Sequence, residues 1–256
     1  MNKLFTFFVH ATYKLRMVFD CLIYHILKKY NHWEILDELM DKNVLVVGNG
    51  PSLKRTELDK IDMVSIGMNK INLLFDKTTW RPDIITCVNG LVTRQNAKFF
   101  NSTDIILVLP ARAWYLGVKK RRNVLFVKAI DSGEFRNDIQ NGVGYSGATV
   151  TFTALQIAAY LRPKSVNIVG VDHNFKNCNY ETPSEIRRYE GDDDDHFDPN
   201  YFKGSLWGLP DLAGSEIAYK SAKYYYDTHN IPIIDYTIDG KCQVFKKDDV
   251  NKIYKK

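Results

Sequence analysis

The chain has 256 residues, 45% of them hydrophobic and 25% charged, which is ordinary for a globular protein with a sizeable core. Its 35 Lys and Arg residues nearly balance 30 Asp and Glu residues, so the net charge of +5 does not indicate a nucleic-acid-binding protein. The four cysteines are far apart and lack CxxC spacing, which argues against a zinc knuckle or a disulfide framework and favours a reducing, cytoplasmic setting.

The first predicted element is an amphipathic helical segment within residues 1–42. Residues 4–27 are strongly apolar, but Lys14, Arg16 and Asp20 make them too charged to span a bilayer, and no signal-peptide cleavage pattern follows. On a helix, the basic residues fall on one stripe, formed by Lys3, His10, Lys14, His25, Lys28 and Lys29.

This pattern leaves two partners open for the segment. One is anionic lipid, which residues 1–30 would contact peripherally at the inner face of the cell membrane while remaining dispensable for the fold. The other is protein, either the core of the same chain or another subunit of a homo-oligomer.

From residue 43 to residue 256, strands alternate with helices in one predicted domain. Apolar runs predict strands at 44–47, 62–67, 83–88, 104–109, 123–127, 165–171 and 231–235. Helical spacing at 148–161 and 215–227 predicts helices between them. Such alternation predicts an α/β, Rossmann-like, mostly parallel sheet with flanking helices. The long polar and aromatic stretch at about 173–214 interrupts it and predicts an active-site lid.

The first strand ends in Gly48-Asn49-Gly50-Pro51-Ser52. The two glycines would let the backbone turn and approach a ligand, while Pro51 fits the first turn of a helix that Ser52 can cap. Backbone N–H groups would then face an anion such as a nucleotide phosphate. The alternative is a strand-to-helix turn without a ligand, because such turns recur in α/β folds.

Polar residues also follow three other predicted strands, where Asn69, Asn89 and Asp172 stand. In a doubly wound sheet, ligands bind at the carboxyl ends of the strands. Asparagine offers donors and an acceptor without charge, which suits the edges of a base, a ribose or a sugar beside a phosphate. The sequence therefore predicts that these residues share a crevice with the loop after the first strand.

A second glycine motif lies at residues 142–147 and matches GxGxxG. An NAD site is not indicated, because no apolar strand immediately precedes the motif and no acidic residue lies about twenty positions after it. Ser146 and Gly147 still open a predicted helix and could bind a phosphate or carboxylate.

The aspartate run at 192–195 precedes His196. The aspartates alone predict a solvated loop, with at most a weakly held divalent cation. A histidine beside carboxylates can be held in one tautomer and made more basic, as a general base requires.

Taken in order, these motifs resemble those of the small bacterial CMP-sialic-acid sialyltransferases over roughly residues 43–236. The resemblance rests on residues 48–53, Asn69, Asn89, residues 145–147, residues 170–172, Tyr180 and His196. The wider superfamily also includes flagellin-modifying glycosyltransferase domains and hydroxymethylpterin diphosphokinase-like proteins. The resemblance implies a modified GT-A-type fold and a metal-independent, inverting glycosyltransferase without a cofactor, which moves sugar from a CMP-sugar donor to a cell-surface glycan acceptor.

The resemblance also implies a role for each matching residue. The donor nucleotide would be held by Gly48, Asn49, Gly50, Ser52 and Asp172, its cytidine or sugar-phosphate region by Asn69 and Asn89, and the donor carboxylate by Ser146 and Gly147. Tyr180 would assist the leaving phosphate, and His196 would take the proton of the acceptor hydroxyl.

The chain departs from the family at Asn174, where family members carry a second tyrosine. Asn174 is therefore a candidate donor-binding residue. The donor sugar stays open between sialic acid and a related nonulosonic or keto sugar.

Two alternative functions remain at the level of the sequence. In a pyrophosphokinase of the hydroxymethylpterin type, the glycine loop would hold ATP phosphates and the aspartate run would bind Mg²⁺. In a noncatalytic scaffold of glycan assembly, the same loop would only sense a nucleotide. Preference for CMP, for ATP or for neither separates the three functions.

Overall fold

The computed structural model describes residues 3–130, 132–144, 148–175 and 186–255, with side chains from residue 15 onwards except at position 187. Its α-helices are α1 (Lys3–Leu27), α2 (Gly90–Phe100), α3 (Val150–Tyr160) and α4 (Leu212–Thr228). The strands of the main sheet are β1 (Asn43–Val47), β2 (Val64–Met68), β3 (Ile84–Thr86), β4 (Ile106–Pro110), β5 (Val124–Val127), β8 (Ser165–Val169), β11 (Ile233–Asp235) and β12 (Lys246–Lys247). Two short pairs stand apart, formed by β6 (Ala129–Ile130) with β7 (Val143–Gly144) and by β9 (Ile186–Arg188) with β10 (Leu206–Gly208).

The main sheet confirms the predicted α/β class. Its strand order is β12-β11-β8-β1-β2-β3-β4-β5, and every neighbouring pair is parallel. From β1 the chain proceeds outwards through β2, β3, β4 and β5, and then returns to place β8 on the other side of β1. Strand order therefore reverses beside β1, and this is the position where open α/β sheets bind ligands.

Both faces of the sheet are covered, because neighbouring residues of each strand point to opposite sides. Leu45 and Val47 belong to a core that includes Leu27 of α1 and the aromatic residues of 189–209. Val44 and Val46 belong to a second core against α3 and α4. This two-sided burial explains why the strands read as continuous apolar runs.

Helix α1 packs through its C-terminal half, where Ile23, Tyr24 and Leu27 are buried. Asn31 secures the end of this segment by donating to the Phe126 carbonyl and accepting from the Phe126 amide, both at 2.8 Å. The sequence left lipid and protein open as partners of this segment, and its C-terminal half packs on the protein's own core. Within the described residues, no helix has the length and apolar character needed to cross a bilayer.

The described part of the predicted lid is packed rather than open. Phe197, Tyr201, Phe202 and Trp207 are all buried in the core on the α1 side of the sheet. These aromatic side chains bury enough apolar surface to hold the described part of the segment against the sheet, and its function as a lid stays a prediction.

Candidate functional site

A pocket of about 140 Å³ lies at the carboxyl ends of β1, β2 and β8. It is lined in part by the segments that follow these strands, at 48–50, 68–69 and 170–175. The start of α3, the loop at 195–196 and the start of α4 complete the wall. The pocket thus occupies the reversal point of the sheet.

Gly48 and Gly50 allow two segments of the chain to touch behind this pocket. A Cβ on Gly48 would lie 2.1 Å from the carbonyl oxygen of Gly170, and one on Gly50 would lie 1.8 Å from Oδ2 of Asp172. The Gly50 amide donates to the Gly170 carbonyl at 2.8 Å. The glycines are therefore required for contact with the end of β8, and they also line the pocket in which the sequence predicted a ligand.

Ser52 serves the same junction rather than facing the pocket. Its amide donates to Oδ1 of Asp172 at 3.0 Å and its hydroxyl to Oδ2 at 2.7 Å. Ser52 is buried in a short 3₁₀ helix, Pro51–Arg55, instead of the expected α-helix. Its predicted place in an anion cradle is wrong in geometry, because its N–H already binds a protein carboxylate.

Asp172 lines the pocket, as the sequence predicted. Burial raises the pKa of its carboxyl group, although the hydrogen bonds from Ser52 and the charge of Arg55 oppose this shift. A buried carboxylate held at both oxygens is suited to accept a further hydroxyl from a ligand, and it repels unneutralised phosphate.

Asn49 and Asn69 lie together on the pocket wall. The Oδ1 atom of each is buried and has no hydrogen-bond partner among the described residues. Asn69 adopts φ +53°, a conformation that asparagine tolerates better than most residues. Because buried polar atoms are normally paired, these two oxygens mark places where a ligand could donate.

Asn89 does not line the pocket. Its side chain caps α2 by accepting from the amides of Leu91 at 2.9 Å and Val92 at 3.4 Å, and the residue is exposed. The predicted nucleotide contact is thus replaced by a helix N-cap, the common role of asparagine before a helix.

Helix α3 begins at the pocket, where Thr149, Val150 and Thr151 line the wall. Thr149 caps the helix by accepting from the Thr151 amide at 3.2 Å. The positive end of a helix dipole therefore faces the cavity, as the sequence expected for this region. Ser146, Gly147 and Tyr180 lie outside the described residues, so their roles stay predictions.

His196 lines the pocket and is fixed on several sides. Its Nδ1 lies 2.9 Å from both carboxylate oxygens of Asp193, whose side chain is fully buried. The ring of Tyr201 stacks on the imidazole with 4.2 Å between ring centroids and 5° between planes. An ionised carboxylate can only accept, so Nδ1 carries the proton and Nε2 is the basic nitrogen of the neutral ring.

The loop that carries His196 is tied to the glycine loop. The Phe197 amide donates to the Asn49 carbonyl at 3.0 Å. Lys70, which follows Asn69, donates from Nζ to the Tyr201 carbonyl at 2.7 Å, and burial lowers the pKa of its ammonium group. These two hydrogen bonds hold the candidate base, His196, in a fixed position relative to the candidate donor-binding residues Asn49 and Asn69.

The other aspartates of the run have separate surroundings. Asp192 pairs with Lys203 at 2.7 Å on the surface, whereas Asp195 is buried and lines the pocket. Among the described residues, no group of three or more His, Cys, Asp or Glu side chains is arranged to hold a metal ion.

Sequence reasoning missed two further residues of the wall. His173 follows Asp172, and its Nε2 lies 3.3 Å from Oε1 of Glu216 on α4. Tyr219 lies 3.3 Å from Thr149 between the two hydroxyl oxygens, and burial raises its pKa to about 12. The position of His173 at a strand end was a usable signal, but nothing in the sequence distinguishes Tyr219 from other aromatic residues of α4. Asn174 also lines the pocket, as predicted.

A parallel sheet with a polar pocket at its reversal point, and with His196 held in the pocket wall by the buried Asp193, is the architecture of a transferase-like α/β domain. A family model described as 6-hydroxymethylpterin diphosphokinase MptE-like matches residues 21–178, and the chain belongs to this family. The family lies within the wider superfamily named from the motifs, so the predicted kinship is confirmed at that level and not for sialyltransferases specifically. Searches of curated proteins and of solved structures gave no match.

Proposed function

We propose that the protein is an inverting glycosyltransferase that moves sialic acid or a related nonulosonic or keto sugar from a CMP donor to a cell-surface glycan. The observation that carries this proposal is His196 in the pocket wall, with its Nδ1 held by the buried carboxylate of Asp193 behind it. A buried carboxylate on Nδ1 orients the ring and stabilises the imidazolium that forms when Nε2 takes a proton.

In the reaction assigned to this site, one bond forms, one bond breaks and one proton is transferred to the protein. The acceptor oxygen attacks the anomeric carbon, its proton moves to Nε2 of His196, and the bond from the anomeric carbon to the phosphate oxygen breaks. CMP leaves with the bonding electrons. Proton removal of this kind typically contributes about 10²- to 10⁴-fold in rate.

The donor side of the pocket fits a nucleotide that carries one phosphate. The Oδ1 atoms of Asn49 and Asn69 can accept from the amino group of a base or from sugar hydroxyls. The positive N-terminal end of the α3 helix dipole faces the pocket and favours binding of a negatively charged phosphate there. Within the described part of the wall there is no Lys or Arg, and Asp172 and Asp195 add negative potential, which suits a monophosphate ester better than a triphosphate.

The description of the matching family favours a second candidate, a pyrophosphokinase that transfers diphosphate from ATP to a hydroxymethylpterin. That reaction requires Mg²⁺ to neutralise the phosphates. In this chain Asp193 already binds His196 and Asp192 pairs with Lys203, so the aspartate run would have to rearrange to bind a cation.

Ligand binding and turnover separate these candidates. We expect CMP to raise the melting temperature in the presence of EDTA, because a ligand that binds only the folded state stabilises it. We expect His196→Ala to keep this shift but to lose CMP release from a CMP-sugar in the presence of acceptor.

Other results would change the assignment. A shift seen only with ATP and Mg²⁺, together with AMP release when 6-hydroxymethylpterin is added, would establish the pyrophosphokinase. CMP binding without turnover of any CMP-sugar tested, in wild type and His196→Ala alike, would indicate a nucleotide-sensing scaffold.

A further inference from the structure

The outward face of α1 is apolar, although the helix also packs on the body of the protein. Leu15, Val18, Leu22 and Ile26 each expose 57–71% of their surface. They recur at helical spacing, opposite the buried Ile23, Tyr24 and Leu27. Soluble proteins rarely expose such a continuous apolar strip unless it contacts a partner.

Aromatic residues extend this strip beyond the helix. Phe19 packs on Tyr115 with 5.4 Å between ring centroids, and the neighbouring Trp114 is 41% exposed. Trp114 and Tyr115 follow a 3₁₀ turn, Ala111–Ala113, that contacts α1. Exposed Trp and Tyr side chains beside an apolar surface are typical of membrane interfaces.

A group of lysines borders the same surface. Lys29 and Lys120 place their Nζ atoms 5.2 and 4.1 Å from the centroid of the exposed Tyr30 ring, so Lys120 lies beside the end of the helix segment. Lys28 and Lys119 are exposed next to them. Within the described residues, none of these four lysines forms a salt bridge with a carboxylate.

We infer that this composite surface, made of the outward face of residues 15–30, Trp114, Tyr115 and the lysines at 119–120, binds anionic lipid membranes. The apolar strip would enter the boundary between headgroups and acyl chains, while the lysines would meet lipid phosphates. A second copy of the chain is a poorer occupant, because the same surface on that copy, among its described residues, offers no exposed carboxylate to pair with the lysines.

Vesicle sedimentation with the full chain tests this inference. We expect binding to phosphatidylcholine vesicles that contain phosphatidylglycerol, and much weaker binding to phosphatidylcholine alone. Leu22→Glu with Ile26→Glu should reduce the partition coefficient by about tenfold or more, since both exposed side chains lose their lipid contact. Lys119→Glu with Lys120→Glu should weaken binding and lessen its salt dependence.

The control variant is Ile217→Glu, which changes a 70% exposed residue of α4 outside this surface and should bind vesicles like wild type. Circular dichroism checks that each variant is folded. The inference is overturned if the full chain does not sediment with anionic vesicles, or if the Leu22→Glu, Ile26→Glu variant binds them as wild type does. It is also overturned if that variant only converts a dimer to a monomer, because the surface would then be a subunit interface.

Discussion

At the scale of single residues, the imidazole of His196 is held by three kinds of contact. Asp193 binds Nδ1, Tyr201 stacks on one ring face, and Phe202 packs edge-on with 5.2 Å between centroids. Rigid support of this kind keeps a base in position for proton transfer. Asp193 acts through His196, so it is a positioning residue and not a group that touches substrate.

Asp193→Asn should therefore slow transfer by about 10²-fold or more while leaving the affinity for CMP nearly unchanged. An amide can present its NH₂ group to Nδ1, which favours the tautomer with the proton on Nε2 and leaves no base facing the acceptor. The measurement is CMP release over a range of pH, with CMP affinity determined in parallel.

Asp192→Asn is the matched control, because among the described residues Asp192 forms an ion pair with Lys203 at the surface and not with His196. It should keep wild-type turnover and the wild-type pH profile. Equal effects of the two substitutions would mean that the Asp193–His196 contact does not serve catalysis.

At the scale of elements, α1 is joined to the body by a part-buried polar contact beside its apolar ones. The Tyr115 hydroxyl donates to Oδ1 of Asp20, a residue that is 7% exposed. Burial raises the pKa of Tyr115 to about 12, and the hydrogen bond to Asp20 contributes to this shift. The contact thus depends on a tyrosine that stays protonated.

Tyr115→Phe should lower the free energy of unfolding by about 1–3 kcal/mol, because the buried Asp20 carboxylate loses its donor. The raised pKa gives this loss a pH dependence. The contribution of Tyr115 is fully present below about pH 10, the ordinary pKa of tyrosine, and disappears as the pH rises through about 12.

Urea denaturation of wild type and Tyr115→Phe at neutral pH and at increasingly alkaline pH measures this difference. Tyr224→Phe, which changes a 72% exposed tyrosine of α4, should match wild type throughout. A difference between wild type and Tyr115→Phe that persists unchanged above about pH 12 would rule out titration of Tyr115 as its source.

The sequence predicted the main elements because buried parallel strands are apolar on both faces and their helices show regular spacing. The strands β1, β4, β5 and β8 lie within two or three residues of their predicted bounds. Helix α2 was missed, because its polar residues hide the period of its buried face, Val92, Thr93, Asn96 and Phe100. Conversely, Pro51 and Ser52 carry helix-start signals, yet their segment forms only a 3₁₀ turn.

The candidate site was predictable in its location but not in its pairings. Strand ends identified Asn69 and Asp172, since parallel strands gather their carboxyl ends at one edge. Four consecutive aspartates are equivalent in a sequence, so the pairing of Asp193 with His196 depends on how Phe197 and Tyr201 pack. The contact of Gly50 with Asp172 could not be predicted, because the two residues are 122 positions apart along the chain.

At the scale of the whole molecule, Trp114 and Tyr115 of the proposed lipid-binding surface follow the edge of the sheet that also carries the pocket. The turn at Ala111–Ala113 directly follows the carboxyl end of β4, and the pocket lies at the carboxyl ends of β1, β2 and β8. If both proposals hold, an acceptor glycan carried on lipid would be presented to this edge. Helix α1 would then have two functions, one in the core and one at the membrane.

This double function changes the expectation for a truncated chain. A chain that starts at residue 15 keeps Ile23, Tyr24 and Leu27, which are 1–7% exposed, and it should fold with nearly wild-type stability. A chain that starts at residue 31 loses all three. Each buried side chain contributes about 1.5–3 kcal/mol, so their loss removes a large part of a typical free energy of unfolding of about 5–15 kcal/mol.

Urea denaturation of the two truncated chains beside the full chain measures the difference. The chain that starts at residue 31 should unfold at a much lower urea concentration or be insoluble, because Leu45 and Val47 would lose their cover from α1. Wild-type stability without residues 1–30 would show that α1 is an appendage, as the lipid interpretation of the sequence had supposed. Because the buried Ile23, Tyr24 and Leu27 fix the other side of α1, the outward apolar strip stays exposed for a partner outside the chain.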